Sequence, residues 1–162
     1  MIKQTTLFAF LSLALAQPFT TYTYKTVDNL NIELNVYVPN SSNYTSYPIF
    51  FEVHGGGYMI CSKAEGSTPK ELQEALARGC VVVSIDYRLS PGVLLKDIVE
   101  DMQDAYDWVR IELPTYVNIN PNSIVVFGQS AGGGLAVMAG YQLSPTPQAV
   151  ISFYPFCTNF MT

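Results

Sequence analysis

Hydrophobic and polar residues alternate near the start of the chain with the two-residue period of β-strands. Thr20–Val27 and Asn31–Val38 are rich in Thr, Tyr, Val and Ile, and Asp28-Asn29 lies between them. Asp and Asn favour tight turns, so this pattern predicts a β-hairpin. A third strand is predicted over Pro48–Val53, an apolar run broken only by Glu52.

The periodicity then becomes helical. A helix start is predicted at Thr68, Pro69 and Glu71, with Thr68 as N-cap and Glu71 closing a capping box. Gly79 is a natural stop for this helix. A second, longer helix is predicted because apolar residues recur every three or four positions. These residues are Leu94, Ile98, Met102, Ala105 and Val109.

The second helix also carries a row of acids: Asp97, Glu100, Asp101, Asp104 and Asp107. Such a cluster resembles a metal site at first sight. Acids on one helix are more often a solvated face, favoured near the N-terminus by the helix dipole. We therefore predict a solvated face, and no cysteine or histidine spacing in the chain indicates a metal site.

Apolar strands and helices alternate through the second half of the chain. Cys80–Ile85, Asn122–Phe127 and Ala149–Phe156 are predicted as buried strands, and Ser130–Gln142 as a helix of small residues. The alternation predicts an α/β fold, with a mostly parallel sheet covered by helices on both faces and the antiparallel hairpin at one edge. Functional sites in such folds form at the carboxyl ends of the strands.

Two glycine-rich segments follow strands in this arrangement. Gly128-Gln129-Ser130-Ala131-Gly132 fits Gly-x-Ser-x-Gly between a strand and a helix, a context that presents a strained serine above the sheet. His54-Gly55-Gly56-Gly57 can turn backbone N–H groups towards a developing oxyanion. Phosphate binding is not indicated, because both the Gly-Lys-Ser/Thr ending and the Gly-x-Gly-x-x-Gly fingerprint are absent.

Four blocks in order resemble the α/β-hydrolase family, and specifically its hormone-sensitive-lipase-like esterases and lipases. They are His54-Gly55-Gly56-Gly57-Tyr58, Asp86-Tyr87-Arg88-Leu89-Ser90-Pro91, the Asp101–Trp108 region and Gly128-Gln129-Ser130-Ala131-Gly132-Gly133.

The resemblance implies hydrolysis of a small-molecule carboxylic ester, without metal or organic cofactor. It implies that Ser130 is the acylated nucleophile and that Gly56, Gly57 and Ala131 supply the oxyanion-hole N–H groups. His54 and Gly55 would support the oxyanion loop, and Tyr87-Arg88 would brace the site.

The remaining triad members are missing. In this fold the order is Ser, then Asp or Glu, then His, yet no charged residue follows Glu112 and His54 is the only histidine. Three explanations are open. In the first, residues 17–162 are the N-terminal part of a hydrolase domain that stops after about the sixth strand and is inactive by itself. In the second, the protein is a non-catalytic pocket protein for small apolar esters or acids, and in the third another chain supplies the acid and histidine. The first is favoured, because the apolar Ala149–Phe156 strand comes so near the end of the sequence.

The composition of the chain limits the class of protein and the partners that can be expected. The chain has 162 residues, 49% apolar, 13% aromatic and 13% charged, with a net charge of -5. Such a chain can build the core of one domain, which excludes disorder. The negative charge argues against a nucleic-acid partner, and the oligomeric state is left open.

The first 16 residues predict a secretory signal peptide. Lys3 precedes a ten-residue apolar run that ends in Ala14-Leu15-Ala16, too short to span a membrane. We therefore expect a secreted protein that begins at Gln17. Asn40 and Asn43 fit the N-glycosylation pattern, with one site expected to be occupied. Cys61, Cys80 and Cys157 are an odd set whose pairing stays open.

Overall fold

The computed structural model describes residues 17–40 and 44–156. Their strands form one six-stranded sheet in the order β1-β2-β4-β3-β5-β6. The strands are β1 (Thr20–Val27), β2 (Leu30–Tyr37), β3 (Tyr47–Val53), β4 (Val81–Ile85), β5 (Ile119–Gln129) and β6 (Ala149–Phe153). The helices are α1 (Pro69–Ala77), α2 (Leu95–Ile111) and α3 (Ala131–Gln142), with 3-10 turns at Lys63–Glu65 and Leu113–Thr115.

The predicted hairpin and the mostly parallel sheet are both present. Strands β1 and β2 pair antiparallel around Asp28 and Asn29, which have φ angles of 49° and 65°. Two successive residues with positive φ are typical of the turns whose twist suits a hairpin. Strand β2 is antiparallel to β4, whereas the pairs β4–β3, β3–β5 and β5–β6 are parallel.

Helix α1 begins as its capping box predicts. The Thr68 side chain accepts a hydrogen bond from the Glu71 N–H, and the Glu71 carboxylate accepts one from the Thr68 N–H. The helix ends before Gly79, whose φ of 78° lies in the left-handed region.

The apolar side of helix α2 packs on the main core, with one correction to its predicted membership. Ile98, Met102, Ala105 and Val109 are fully buried, but Leu94 is 64% exposed. Leu94 has an extended backbone and occupies the N-cap position, so its side chain departs from the helical face. Its N–H donates to the Asp97 carboxylate at 2.8 Å, an interaction that satisfies one of the orphan donors at the helix start.

The prediction of a solvated acidic face is wrong for Asp101. Its carboxylate is fully buried and accepts a bidentate pair of hydrogen bonds from the Arg88 guanidinium, both at 2.8 Å. Lys25 on β1 lies 2.9 Å from the same carboxylate. Because these two cations come from distant parts of the chain, the helical period could not reveal that Asp101 faces inward.

The prediction that Ala149–Phe156 is a buried strand is also wrong. Strand β6 ends at Phe153 and pairs only with β5 among the described strands, at the edge of the sheet. Ile151 and Phe153 are 39% and 49% exposed. An apolar run of this length is compatible with either a central or an edge strand, so the position in the sheet decided the burial.

Within residues 17–40 and 44–156, no helix is both long and apolar enough to cross a membrane. The predicted signal peptide, residues 1–16, lies outside the described residues, as do Asn43 and Cys157. Asn40 is exposed, and Cys61 and Cys80 are free thiols.

Candidate active site

Ser130 occupies the sharp turn between β5 and α3, as the sequence predicts. Its φ and ψ angles are 55° and -121°, a combination that a residue with a side chain rarely adopts. Flanking glycines permit the turn, because a Cβ atom on Gly128 would lie 2.1 Å from the Gly132 carbonyl oxygen. Such strain persists only where the surrounding structure holds it, and it is found preferentially at functional sites.

The glycine loop after β3 packs directly against this turn. A Cβ atom on Gly55 would lie 3.4 Å from the Ser130 Cβ and 3.0 Å from the Gln129 carbonyl oxygen. Gly56 has a φ of 95°, and its carbonyl accepts the N–H groups of Met59 and Ile60 at 3.1 Å. The two predicted segments therefore meet at the carboxyl end of the sheet.

Three backbone N–H groups belong to the residues that meet here. Within the described part of the chain, the N–H groups of Gly56, Gly57 and Ala131 donate to no protein acceptor. Ala131 is also the first residue of α3, where the helix dipole adds positive partial charge. The arrangement can therefore accept a negatively charged oxygen.

His54 and Tyr87 hold the glycine loop in place. The buried His54 ring stacks on Tyr87 with centroids 4.1 Å apart, and its Nδ1 lies 2.8 Å from the Gly55 carbonyl oxygen. Since a carbonyl only accepts, Nδ1 carries the proton. Burial lowers the pKa of His54, which favours the neutral ring. The Tyr87 hydroxyl donates to the His54 and Gly55 carbonyls at 2.9 and 3.1 Å.

His54 and Tyr87 contact the glycine loop and Arg88 follows Tyr87 directly; the supporting role of His54 and the brace formed by Tyr87 and Arg88 stay predictions. Arg88 completes the brace through the buried Asp101, to which both its backbone N–H and its guanidinium donate. The glycine loop is thereby tied to α2.

The main chain at the end of β6 and just after it also contacts the site, which sequence reasoning missed. The Ser130 N–H donates to the Phe153 carbonyl at 3.0 Å, and the Phe156 N–H donates to the Ser130 carbonyl at 2.8 Å. Backbone pairing of this kind depends on strand register, so no side-chain pattern could have indicated it.

A general base does not accompany the serine among residues 17–40 and 44–156. No side chain there is hydrogen-bonded to the Ser130 Oγ, and the His54 ring is engaged with Gly55 and Tyr87. The same residues contain no group of three or more His, Cys, Asp and Glu side chains that could hold a metal ion. The described site therefore consists of a positioned hydroxyl beside the N–H groups of Gly56, Gly57 and Ala131.

Comparison with known proteins places this geometry in a family. The BD-FAE family model, an α/β-hydrolase esterase domain, matches residues 34–154.

Among curated proteins, the chain is 36% identical over 144 residues to the non-reducing polyketide synthase Preu6 of Preussia isomera. It is 33% identical over 147 residues to the 5-methylorsellinic acid synthase of Aspergillus terreus. Each match covers 83% of this chain but only 6% of the relative.

Solved structures agree with the fold. Thermogutta terrifontis esterase 2, in a structure phosphorylated by paraoxon, is 27% identical with a TM-score of 0.72, covering 86% of this chain and 58% of the esterase. A bacterial heroin esterase is 26% identical with a TM-score of 0.66, covering 80% of this chain and 41% of that one. This chain thus spans less than two thirds of either esterase. It belongs to the BD-FAE family of α/β-hydrolase esterase domains.

Proposed function

We propose that the site performs the chemistry of a carboxylic-ester hydrolase, with Ser130 as the nucleophile. The observation that carries the proposal is the strained φ of 55° at Ser130, beside three N–H groups that have no acceptor among the described residues. The Ser130 Oγ adds to the ester carbonyl and gives its proton to water, and the carbonyl oxygen becomes an oxyanion. The alcohol then leaves with a proton, and water later releases the acid from the acyl-serine.

The N–H groups of Gly56, Gly57 and Ala131 stabilise the oxyanion. A preorganised donor of this kind contributes about 3–4 kcal/mol in the transition state. The family model and the two esterases support ester substrates. The identity to polyketide synthases adds esters of polyketide acids to the substrates worth testing.

Turnover by this chain alone is expected to be slow. A serine hydroxyl is a weak nucleophile until a base removes its proton, and this sequence has neither an acid nor a histidine after Ser130. Oxyanion stabilisation and binding without a triad still give about 10³–10⁴-fold acceleration in serine proteases. We therefore propose a weak, serine-dependent reaction for this chain.

The test uses paraoxon, which phosphorylates an activated serine and releases p-nitrophenol. We expect slow, stoichiometric labelling at Ser130, located by peptide mass spectrometry, and no labelling of Ser130→Ala. Met59→Leu, an exposed position beside the loop, is the matched control and should label like the parent. A folded protein that stays unlabelled at high paraoxon concentration would contradict the proposal.

The alternative is a non-catalytic protein that binds small apolar esters or acids. A cavity of about 470 Å³ on the α1 side of the sheet favours it, because Phe50 and Ile151 line the cavity together with Lys70 and Arg78. Saturable binding of octanoate by calorimetry, lost in Ile151→Glu, combined with no paraoxon labelling, would support this function over the first.

We further propose that the chain is secreted and glycosylated at Asn40 or Asn43. The apolar leader pattern and the exposure of Asn40 support this. Expression in a eukaryotic secretory host should release protein beginning at Gln17, with a glycosidase-sensitive mass lost in Asn40→Gln/Asn43→Gln. Retention of an unprocessed chain in the cytosol would contradict it.

A further inference from the structure

An acidic side chain lies buried on the sheet face opposite the main core. Glu52 is 2% exposed and occupies β3, two residues before His54. Its strand partner on β4 is Ser84. Within the described residues, the Glu52 Oε1 atom has no hydrogen-bond partner. A buried carboxylate without donors is costly, so this group requires an explanation.

The neighbouring hydroxyl determines which protonation state fits. The Ser84 hydroxyl donates its single proton to the Lys63 carbonyl at 2.9 Å. Towards Glu52, its strand partner on the same face of the sheet, Ser84 therefore offers only lone pairs. A carboxylate facing those lone pairs would be repelled, whereas a protonated carboxyl can donate to them.

The same cluster reaches both halves of the active site. A Cβ atom on Gly66 would lie 2.3 Å from the Ser84 Oγ and 3.2 Å from the Glu52 Oε2, so this glycine packs directly on the pair. The Gly66 carbonyl lies 3.5 Å from the side-chain nitrogen of Gln129, the residue before Ser130. Strand β3 itself continues from Glu52 into the glycine loop.

We propose that Glu52 is a positioning residue that acts as a neutral carboxylic acid: it donates to Ser84 and thereby holds the Ser130 turn and the glycine loop together. The effect on reactivity rests on the proposed function, whereas the protonation of Glu52 does not. Ionisation of Glu52 turns this donor into a repelling charge and loosens the cluster.

The charged and titratable groups around Glu52 agree with a retained proton. Burial, and then the negative charge of Glu71 on α1, raises the pKa of Glu52 to about 8. Tyr37 on β2 interacts electrostatically with both Glu52 and Lys63, and Lys63 lies in the first 3-10 turn. Lys63 directs its Nζ to Glu33 and Asp86 instead, at 3.2 and 2.7 Å.

The experiment compares Glu52→Gln, whose amide can donate to Ser84 but cannot ionise, with the parent. Infrared spectra of the parent should show a protonated-carboxyl band at pH 7 that titrates near pH 8 and is absent in Glu52→Gln. At pH 9 the paraoxon labelling of Ser130 should be about tenfold slower in the parent than in Glu52→Gln, and equal at pH 6. Glu74→Gln, an exposed carboxylate on the same face, is the control and should behave like the parent.

The infrared measurement needs only the parent protein, so it decides the protonation of Glu52 even if the variant folds poorly. Absence of the band at pH 7, or parallel pH profiles of labelling in the parent and Glu52→Gln, would overturn the proposal. If Ser130 is not labelled at any pH while the band is present, the proposed function fails and the neutral Glu52 stands.

Discussion

The two faces of the sheet are covered very differently. On one face, α2 and α3 form a continuous core in which Ile98, Met102, Leu135 and Ala139 are fully buried. On the other, the nine-residue helix α1 packs on Val82 through Ala75 and Leu76. Further along that face, the β6 side chains Ile151 and Phe153 are partly exposed.

This difference shows what holds the strained serine. Ser130 is the N-cap residue of α3, and that helix approaches β3 so closely that Gly132 lies against the Val53 and His54 carbonyls. Dense packing is stiff and fixes the geometry of the groups attached to it. The site is therefore anchored on the well-packed face, whereas Glu52 reaches it from the thinly covered one.

The largest effect is expected for Gly132→Ala on the α3 side. The added Cβ would lie 2.1 Å from the Val53 carbonyl oxygen and 2.4 Å from that of His54, and neither backbone atom can move freely. We expect a loss above about 3 kcal/mol in the free energy of unfolding measured in urea. Gly140→Ala in the same helix, with Val150 as its nearest neighbour at 3.4 Å, should change it by less than about 1 kcal/mol. Equal effects would show that α3 packs less tightly than described.

The next largest difference between the two faces is expected in the free energy of unfolding lost when an ion pair is broken. Asp101→Ala leaves Arg88 and Lys25 without the carboxylate that both contact. Breaking a buried pair costs about 3–5 kcal/mol, and we expect the lower end because the two cations are 14% and 15% exposed.

The matched change on the thin face is Glu74→Ala, which breaks a pair with Arg78 whose side chains are 61% and 73% exposed. It should cost less than about 0.5 kcal/mol. Thermal and urea unfolding of both variants checks the contrast, and comparable losses would argue against a buried Asp101.

Truncating an apolar side chain on each face should give a smaller difference in the free energy of unfolding. Leu135→Ala removes a fully buried side chain and should cost about 3 kcal/mol, with the cavity it leaves included. Leu72→Ala on α1 removes a partly buried one and should cost about 1 kcal/mol. A larger loss for Leu72→Ala in urea unfolding would mean that the α1 face is the better packed of the two.

The smallest effects concern the helix starts. Thr68→Ala removes the cap of α1 and should cost about 1 kcal/mol. Ser130→Ala should leave the free energy of unfolding within about 0.5 kcal/mol of the parent, because the Ser130 side chain makes no capping hydrogen bond to α3. A stability loss of 1 kcal/mol or more in Ser130→Ala would reveal a structural role for this hydroxyl, at about the magnitude of a lost cap.

The sequence by itself determined the local features of this protein. Alternation predicted the hairpin, the capping box predicted the start of α1, and Gly-x-Ser-x-Gly predicted the strained turn at Ser130. These features depend on residues within a few positions of each other, whose steric and hydrogen-bonding preferences act without the rest of the fold. Counting residues also showed that no acid or histidine follows Ser130.

Only the tertiary structure decided which polar groups are buried and which apolar strand is exposed. The sequence pattern predicts that Asp101 lies on a solvated helix face, yet Asp101 is in the interior, where Arg88 and Lys25 neutralise its charge. The apolar pattern of strand β6 predicts a buried strand, whereas β6 lies at the edge of the described sheet. Burial and charge pairing depend on neighbours far away in sequence, and a local pattern contains no information about which neighbours the sheet order will bring together.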